Sequence, residues 1–258
     1  MQNLIYGKQE RIFINTALGC NSKCSYCYLS DIGISDKVRY FKAEDIIEKI
    51  EMMEQFKIGE NGTIISIGCY SECWDNKNKK ETIKLIKYFI STNNYIQLAT
   101  KRKLTFEELE EVNKLIKYRN QLTIYISIPT ISQSNLIEVG TDRAEKRINN
   151  FKLKNKLENI NFVLYIKPVL KGITILDINS YIDIVKTHNL DVVIGDIFTI
   201  NSEHGKQIDV GENMLYEYEV KDSVTIKNKL CLYTKVYKHS TEIIEASRLH
   251  NKKLRGEE

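Results

Sequence analysis

The sequence predicts an α/β fold: a partial (β/α)6 TIM-like barrel with a short C-terminal extension. Three observations point there. Short apolar runs alternate with longer amphipathic stretches through six units or nearly so, both prolines fall where a strand should finish, and a cysteine cluster follows the first strand.

Residues 11–17 read as a strand, 43–55 as a helix, 63–67 as a strand, and 79–91 as a helix with apolar residues at helical spacing. Residues 95–100 form the next strand. The helix over 105–118 is opened by Thr105 with Glu108 three residues on, the pattern of a capping box. A strand at 122–128, a helix at 142–156, a strand at 162–167, a helix at 178–188 and a strand at 192–197 complete the series. Pro129 and Pro168 close two of these strands, where a residue without an amide donor does least damage to the ladder. Residues 1–200 are expected to form the barrel core. Residues 201–258 form an extension that covers the sheet, with a strand around Val224 and a charged helix over 241–253.

Bulk properties narrow the function. A chain of 258 residues, 42% hydrophobic, can bury one large core. A net charge of +4, from 38 basic and 34 acidic residues, permits a phosphate-bearing partner without demanding one. No apolar run approaches the roughly 20 residues that span a bilayer. The first ten residues lack the basic and apolar halves of a signal peptide, so a cytoplasmic location and no membrane partner are expected. Six cysteines, three of them within eight positions, do not resemble a disulfide framework and suggest metal or redox chemistry.

Cys20, Cys24 and Cys27 are spaced Cys-x3-Cys-x2-Cys in the loop GCNSKCSYCYLSD. Three thiolates on one loop can hold three irons of a cubane cluster and leave the fourth iron free to chelate a ligand. Structural zinc normally closes with four ligands, and His188, His204, His239 and His250 all lie far along the chain; zinc remains the lesser alternative.

This spacing, with aromatic Tyr26 before the last cysteine, resembles the signature of the radical S-adenosylmethionine superfamily, over roughly residues 11–200. The resemblance implies a 4Fe-4S cluster on Cys20, Cys24 and Cys27, with S-adenosylmethionine bound at its free iron and cleaved reductively to a 5'-deoxyadenosyl radical that abstracts hydrogen. It also implies a reducing electron donor such as flavodoxin or ferredoxin. The spellings CSYCYLS and CYSE are similar to those of the spore photoproduct lyase-like branch. Within that likeness Cys69 would be a hydrogen-atom donor assisted by Tyr28 and Tyr26. The stretch holding Ser71 and Glu72 would meet the methionyl amino group, Lys101 the methionyl carboxylate and Ser127 the ribose. Arg147, with Glu138 beside it, falls in the branch's Glu to Arg segment. The IKPVLKGIT stretch resembles an element that packs on the adenine, with Gly172 letting the chain pass close. Gly195 either leaves room beside the base or marks a simple bulge.

The chain departs from the lyase in placing Cys20 near its start, in ending soon after the barrel, and in carrying Cys73, Trp74 and Asp75 at the cavity mouth. These departures turn the expectation away from double-stranded DNA. Cys73 could pair with Cys69, relay a radical or fill space, and Cys231 stands alone in the extension. Three functions therefore stay open. The first is a lyase-like radical enzyme with Cys69 as donor; the second is a radical enzyme acting on a peptide or small metabolite with Cys69 structural. The third is a non-catalytic zinc or iron–sulfur protein. The organic substrate, whether nucleic acid, peptide or small metabolite, is left unnamed by the residues.

Overall fold

The computed structural model describes residues 4–34, 37–199, 206–210, 213–218 and 220–256. Eight strands form one sheet in chain order: β1 (Ile5–Lys8), β2 (Arg11–Ile14), β3 (Ile64–Ile67), β4 (Ile96–Thr100), β5 (Leu122–Ser127), β6 (Asn161–Ile166), β7 (Val192–Ile194) and β8 (Val236–Tyr237). β1 and β2 make an antiparallel hairpin with Lys8 opposite Arg11, and all later neighbours run parallel. β1 and β8 stand at the two edges, so the barrel is partial rather than closed. The helices that cross between or follow the strands are α1 (Ala43–Glu51), α2 (Lys79–Ser91), α3 (Phe106–Leu115), α4 (Ala144–Ile148), α5 (Ile178–His188), α6 (Lys221–Leu230) and α7 (Ser240–Leu254).

Side chains alternate across each strand, and the two faces carry different chemistry. Ile12, Ile65, Ile96, Leu98, Ile124, Ile126, Leu164 and Ile166 point outward and pack with Ile46, Leu85, Phe89 and Leu109 of the helices in one core. Arg11, Phe13, Ser66, Gln97, Tyr125, Ser127 and Tyr165 point inward and line a cavity of about 270 Å³. Strands covered on both faces read as near-continuous buried runs, which β3 and β5 show along their whole length.

The extension adds more than a cover. β8 joins the main sheet, and an antiparallel sheet is built from Ile197–Thr199, Lys206–Val210 and Asn213–Tyr218. α7 lies across the amino ends of the strands. Its Ile244 packs on Ile64 and Tyr95, its Ile243 on Tyr125, Val163 and Val193, and its Arg248 donates to the carbonyls of Glu60 and Gly62.

Several expectations are corrected. The segment around Val224 is helical: Ser223, Ile226 and Leu230 are buried at the spacing of one helix face, while the β-branched Val224 is exposed. The helix expected over 142–156 is α4 followed by a 3-10 segment, Asn149–Asn155. The buried Asn150 side chain there accepts from Leu104 N and donates to Arg102 O, serving the loop after β4. α3 stops at Leu115 because Ile116 turns to an extended conformation.

Thr105 and Glu108 do form the capping box, and Glu108 also accepts from the indole of buried Trp74 (3.2 Å) and from Lys79 (2.6 Å). Thr105→Ala is expected to lower stability by about 1 kcal/mol. Glu108→Ala should cost more, because the Trp74 N–H is then left without a partner. Urea midpoints of the two variants against wild type check both the sign and the order.

Candidate active site

The cavity opens at the carboxyl ends of the parallel strands, where loops gather functional groups in barrels of this kind. The loop after β2 carries the cysteines and is braced by two other loops. Asn15 Oδ1 accepts from Tyr70 N (2.8 Å) and Gly19 N donates to Tyr70 O (3.0 Å), tying it to the loop after β3. Lys23 and Cys24 pair antiparallel with Glu138–Val139 beyond β5, and Ser25 N donates to Ile137 O (2.9 Å). Cys20, Cys24 and Cys27 are half-buried, free of disulfides, and line the cavity. Burial pushes the Cys24 thiol up to about 11, and the positive charge of Lys101 works against that rise. Cys27 is raised by burial, with the amide of Leu29 and Lys101 opposing.

Cys69, Ser71 and Glu72 follow β3 through Gly68, whose φ of +85° and close contact with Cys73 Cβ, 2.6 Å from where a Cβ would stand, both require glycine. Tyr28 Oη donates to Cys69 O (3.3 Å) and lies 3.8 Å from Cys69 Sγ. Burial pushes the Tyr28 phenol well up, and Cys69 adds to it. Cys73 is fully buried, outside the cavity lining, with its thiol toward Ala99 O; it fills space against Gly68, and it forms no disulfide with Cys69. Cys231 is exposed on the surface.

Glu72 is held by the chain itself. It accepts from Thr100 Oγ1 (2.6 Å), Lys101 N (2.8 Å) and Trp74 N (3.0 Å), fixing the end of β4 and the base of Lys101. Lys101 reaches the cavity beside the cysteines, with its ammonium 5.6 Å from the Tyr26 ring. Ser71 and Ser127 also lie in the lining, and their buried Oγ atoms have no hydrogen-bond partner among the described residues.

Glu138 and Arg147 form a buried ion pair behind the wall rather than in the lining. Arg147 also donates to Ser127 O (2.6 Å), and Tyr26 donates its hydroxyl to Glu138. The cysteine loop, the segment after β5 and the end of β5 are thereby joined through one carboxylate. Gly172 lies outside the cavity in a turn at φ +70°, and its N–H donates to Asp222 (2.7 Å). A Cβ there would meet nothing within 4 Å, so the turn, not a close approach, calls for glycine. The space beside Gly195 is filled by the Lys167 side chain, 2.4 Å from where a Cβ would sit.

Sequence reasoning missed the cavity interior. Arg11 Nε donates to Ser66 Oγ (2.7 Å) and Nη2 reaches Ser240 Oγ (3.4 Å), the first residue of α7. Gln97, with its amide oxygen toward Arg11, accepts from Nη2 (2.8 Å) and Nε (3.1 Å). Lys167 stands over the Phe198 ring at 4.4 Å, and burial pulls its ammonium down. Tyr6, on the unforeseen β1, stacks on Tyr70 (5.1 Å) and adjoins Cys69. The available signal was a polar or charged residue set at period two inside an apolar strand.

Residues 14–209 match the radical SAM superfamily. The chain belongs to that superfamily. Among solved structures, this radical SAM protein resembles a spore photoproduct lyase variant with bound AdoMet and dinucleoside spore photoproduct. That match has a TM-score of 0.64 and 14% identity over 88% of this chain and 76% of that chain. A second variant of the lyase matches with a TM-score of 0.65 and 14% identity, over 93% and 81% of the two chains. SuiB of Streptococcus suis bound to S-adenosylmethionine matches with a TM-score of 0.62 and 14% identity over 90% of this chain, which spans about half, 51%, of SuiB. These are likenesses of fold. No curated protein sequence matches the chain.

Removing one partner of the Glu138–Arg147 pair leaves the other charge buried, so Arg147→Met is expected to cost about 3–5 kcal/mol in denaturant. Combining it with Glu138→Leu should recover much of that loss. A double variant as unstable as the single one would mean that the ties to Tyr26 and Ser127, not the uncompensated charge, set the cost.

Proposed function

We propose that this chain is a radical SAM enzyme that holds a 4Fe-4S cluster on Cys20, Cys24 and Cys27, binds S-adenosylmethionine beside it, and removes hydrogen from an organic substrate. The observation that carries this reading is a cavity wall with three free thiols on one loop beside two buried, unpartnered hydroxyls, Ser71 and Ser127. Buried polar atoms without partners are rare and mark places where a ligand completes the hydrogen bonding. When bound, the cluster and cofactor supply a 5'-deoxyadenosyl radical by reductive cleavage.

The chain's own residues bind and orient. Lys101 is assigned to the methionyl carboxylate, Ser71 to the amino-acid end and Ser127 to the ribose. Glu72 acts by holding Lys101 in place, and Glu138 and Arg147 by holding the cysteine loop against the end of β5. Gly172 serves its turn. Cys69 is the assigned hydrogen donor: a thiol S–H bond is weak enough to give hydrogen to a carbon radical, and the Tyr28 phenol is within reach of the sulfur. Tyr26, whose hydroxyl is engaged by Glu138, is a positioning residue.

Zinc is the lesser alternative, because structural zinc closes with four ligands and the cysteine loop offers three. No helix among the described residues is long and apolar enough to cross a membrane. A cytoplasmic location and a flavodoxin or ferredoxin as reductant remain part of the proposal. The dinucleoside bound by the lyase keeps nucleic acid among the substrate classes, beside peptides and small metabolites.

Anaerobic reconstitution followed by dithionite and S-adenosylmethionine should yield about four irons per chain and 5'-deoxyadenosine, and Cys24→Ala should abolish the product. Stoichiometric zinc in the purified protein, with no deoxyadenosine from a loaded one, would sink the reading. Cys69→Ala tests the donor role separately: the yield of final product should fall or divert, and an unchanged yield removes Cys69 from the chemistry.

A further inference from the structure

The cavity is more electropositive at depth than the cofactor alone requires. Lys101 is the cation beside the cysteine loop, acting on both Cys24 and Cys27. Arg11, held among Ser66, Gln97 and Ser240, and Lys167, over the Phe198 ring that packs on Tyr28, line the same cavity. Among the described residues no carboxylate forms an ion pair with Arg11. Glu217 and Asp196 act on Lys167 from a distance, and among the described residues neither cation forms an ion pair. Of the two carboxylates in the lining, Glu72 is held by backbone amides and Thr100 at the end of β4, and Asp196 accepts from the Ser223 hydroxyl at 2.8 Å.

A guanidinium enclosed in a barrel without a counter-charge is unfavourable, and a neutral side chain would fill the position without that cost. Ser66, Gln97 and Ser240 hold the Arg11 head by neutral hydrogen bonds and the Phe13 ring lies 4.2 Å from it, contacts that orient the cation without supplying a negative charge. Nε and Nη2 of the guanidinium are engaged by Ser66, Gln97 and Ser240, so an oxyanion would be met by its remaining donors at Nη1. Cys69 lines the same cavity as both cations, so an anion bound there shares the chamber with the assigned hydrogen donor.

We infer that the substrate carries a carboxylate or phosphate group, received by Arg11 and Lys167 inside the barrel. The anion fixes one end of the substrate and so decides which carbon faces the radical. This rests on the radical SAM reading of the cavity and adds the substrate's chemical class to it.

The test uses the reconstituted protein with S-adenosylmethionine present, titrated calorimetrically with inorganic phosphate, propionate and neutral propionamide. Saturable binding of phosphate or propionate, but not of propionamide, is expected, and the tighter of the two anions identifies the oxyanion. Arg11→Gln and Lys167→Gln should each weaken that binding about tenfold or more. Arg11→Lys should restore part of it, and Lys171→Gln, on the exposed turn, should leave it unchanged. Cluster absorbance and far-ultraviolet circular dichroism establish that each variant is folded and loaded; if Arg11→Gln fails there, Lys167→Gln carries the test. Binding of neither anion to wild type, or equal binding to the folded variants, overturns the inference. Deoxyadenosine formation by wild type reports separately on the radical reading, so the loss of one leaves the other standing.

Discussion

The period-two alternation of the parallel strands is the constraint on which the rest depends. Each central strand has to satisfy helices on one side and the interior on the other, so its outward residues are aliphatic while its inward ones, at every second position, admit polar and aromatic side chains. A one-residue slip of β5 would send Tyr125 and Ser127 into the helix layer and Ile124 and Ile126 into the cavity. The cavity therefore inherits its precision from the packing of its opposite face. Ser127 is placed by the burial of Ile126, and Arg11 by the burial of Ile12.

A second layer of order comes from two carboxylates that tie loops to one another. Glu72 gathers the loop after β3 onto the end of β4. Glu138 binds Tyr26 and Arg147 at once, and Arg147 grips the carbonyl of Ser127. Each is costly to bury alone and tolerable only because its oxygens are engaged. Such groups hold loops at fixed separations.

Much of this was legible in the sequence. The central strands were visible because parallel strands buried on both faces are nearly unbroken apolar runs, and the capping box of α3 because Thr105 and Glu108 are adjacent partners. The cysteine loop was legible because spacing alone defines it. The rest was hidden by distance or brevity. β1 is an antiparallel edge and β8 has two residues, too short to leave a periodic signal. The Val224 segment has the β-branched residues of a strand but the burial spacing of a helix, and packing decided between them. Glu138 and Arg147 were found by motif, yet their place behind the wall depends on Tyr26, far away in the chain. Arg11 looked like an ordinary strand residue, since nothing nearby announces an inward-facing charge.

The contact between Arg11 and Ser240 joins residues 229 positions apart. The braces of the cysteine loop come from Tyr70 and from residues 137–139, all made much earlier. On a ribosome emitting the chain from its amino end, that loop has its partners while the barrel floor is still unmade. Closing so long a loop carries an entropic cost that only the finished helix α7 can offset. The order of synthesis thus separates two events: the cysteine loop is braced first, and the end of the cavity that α7 closes is sealed last.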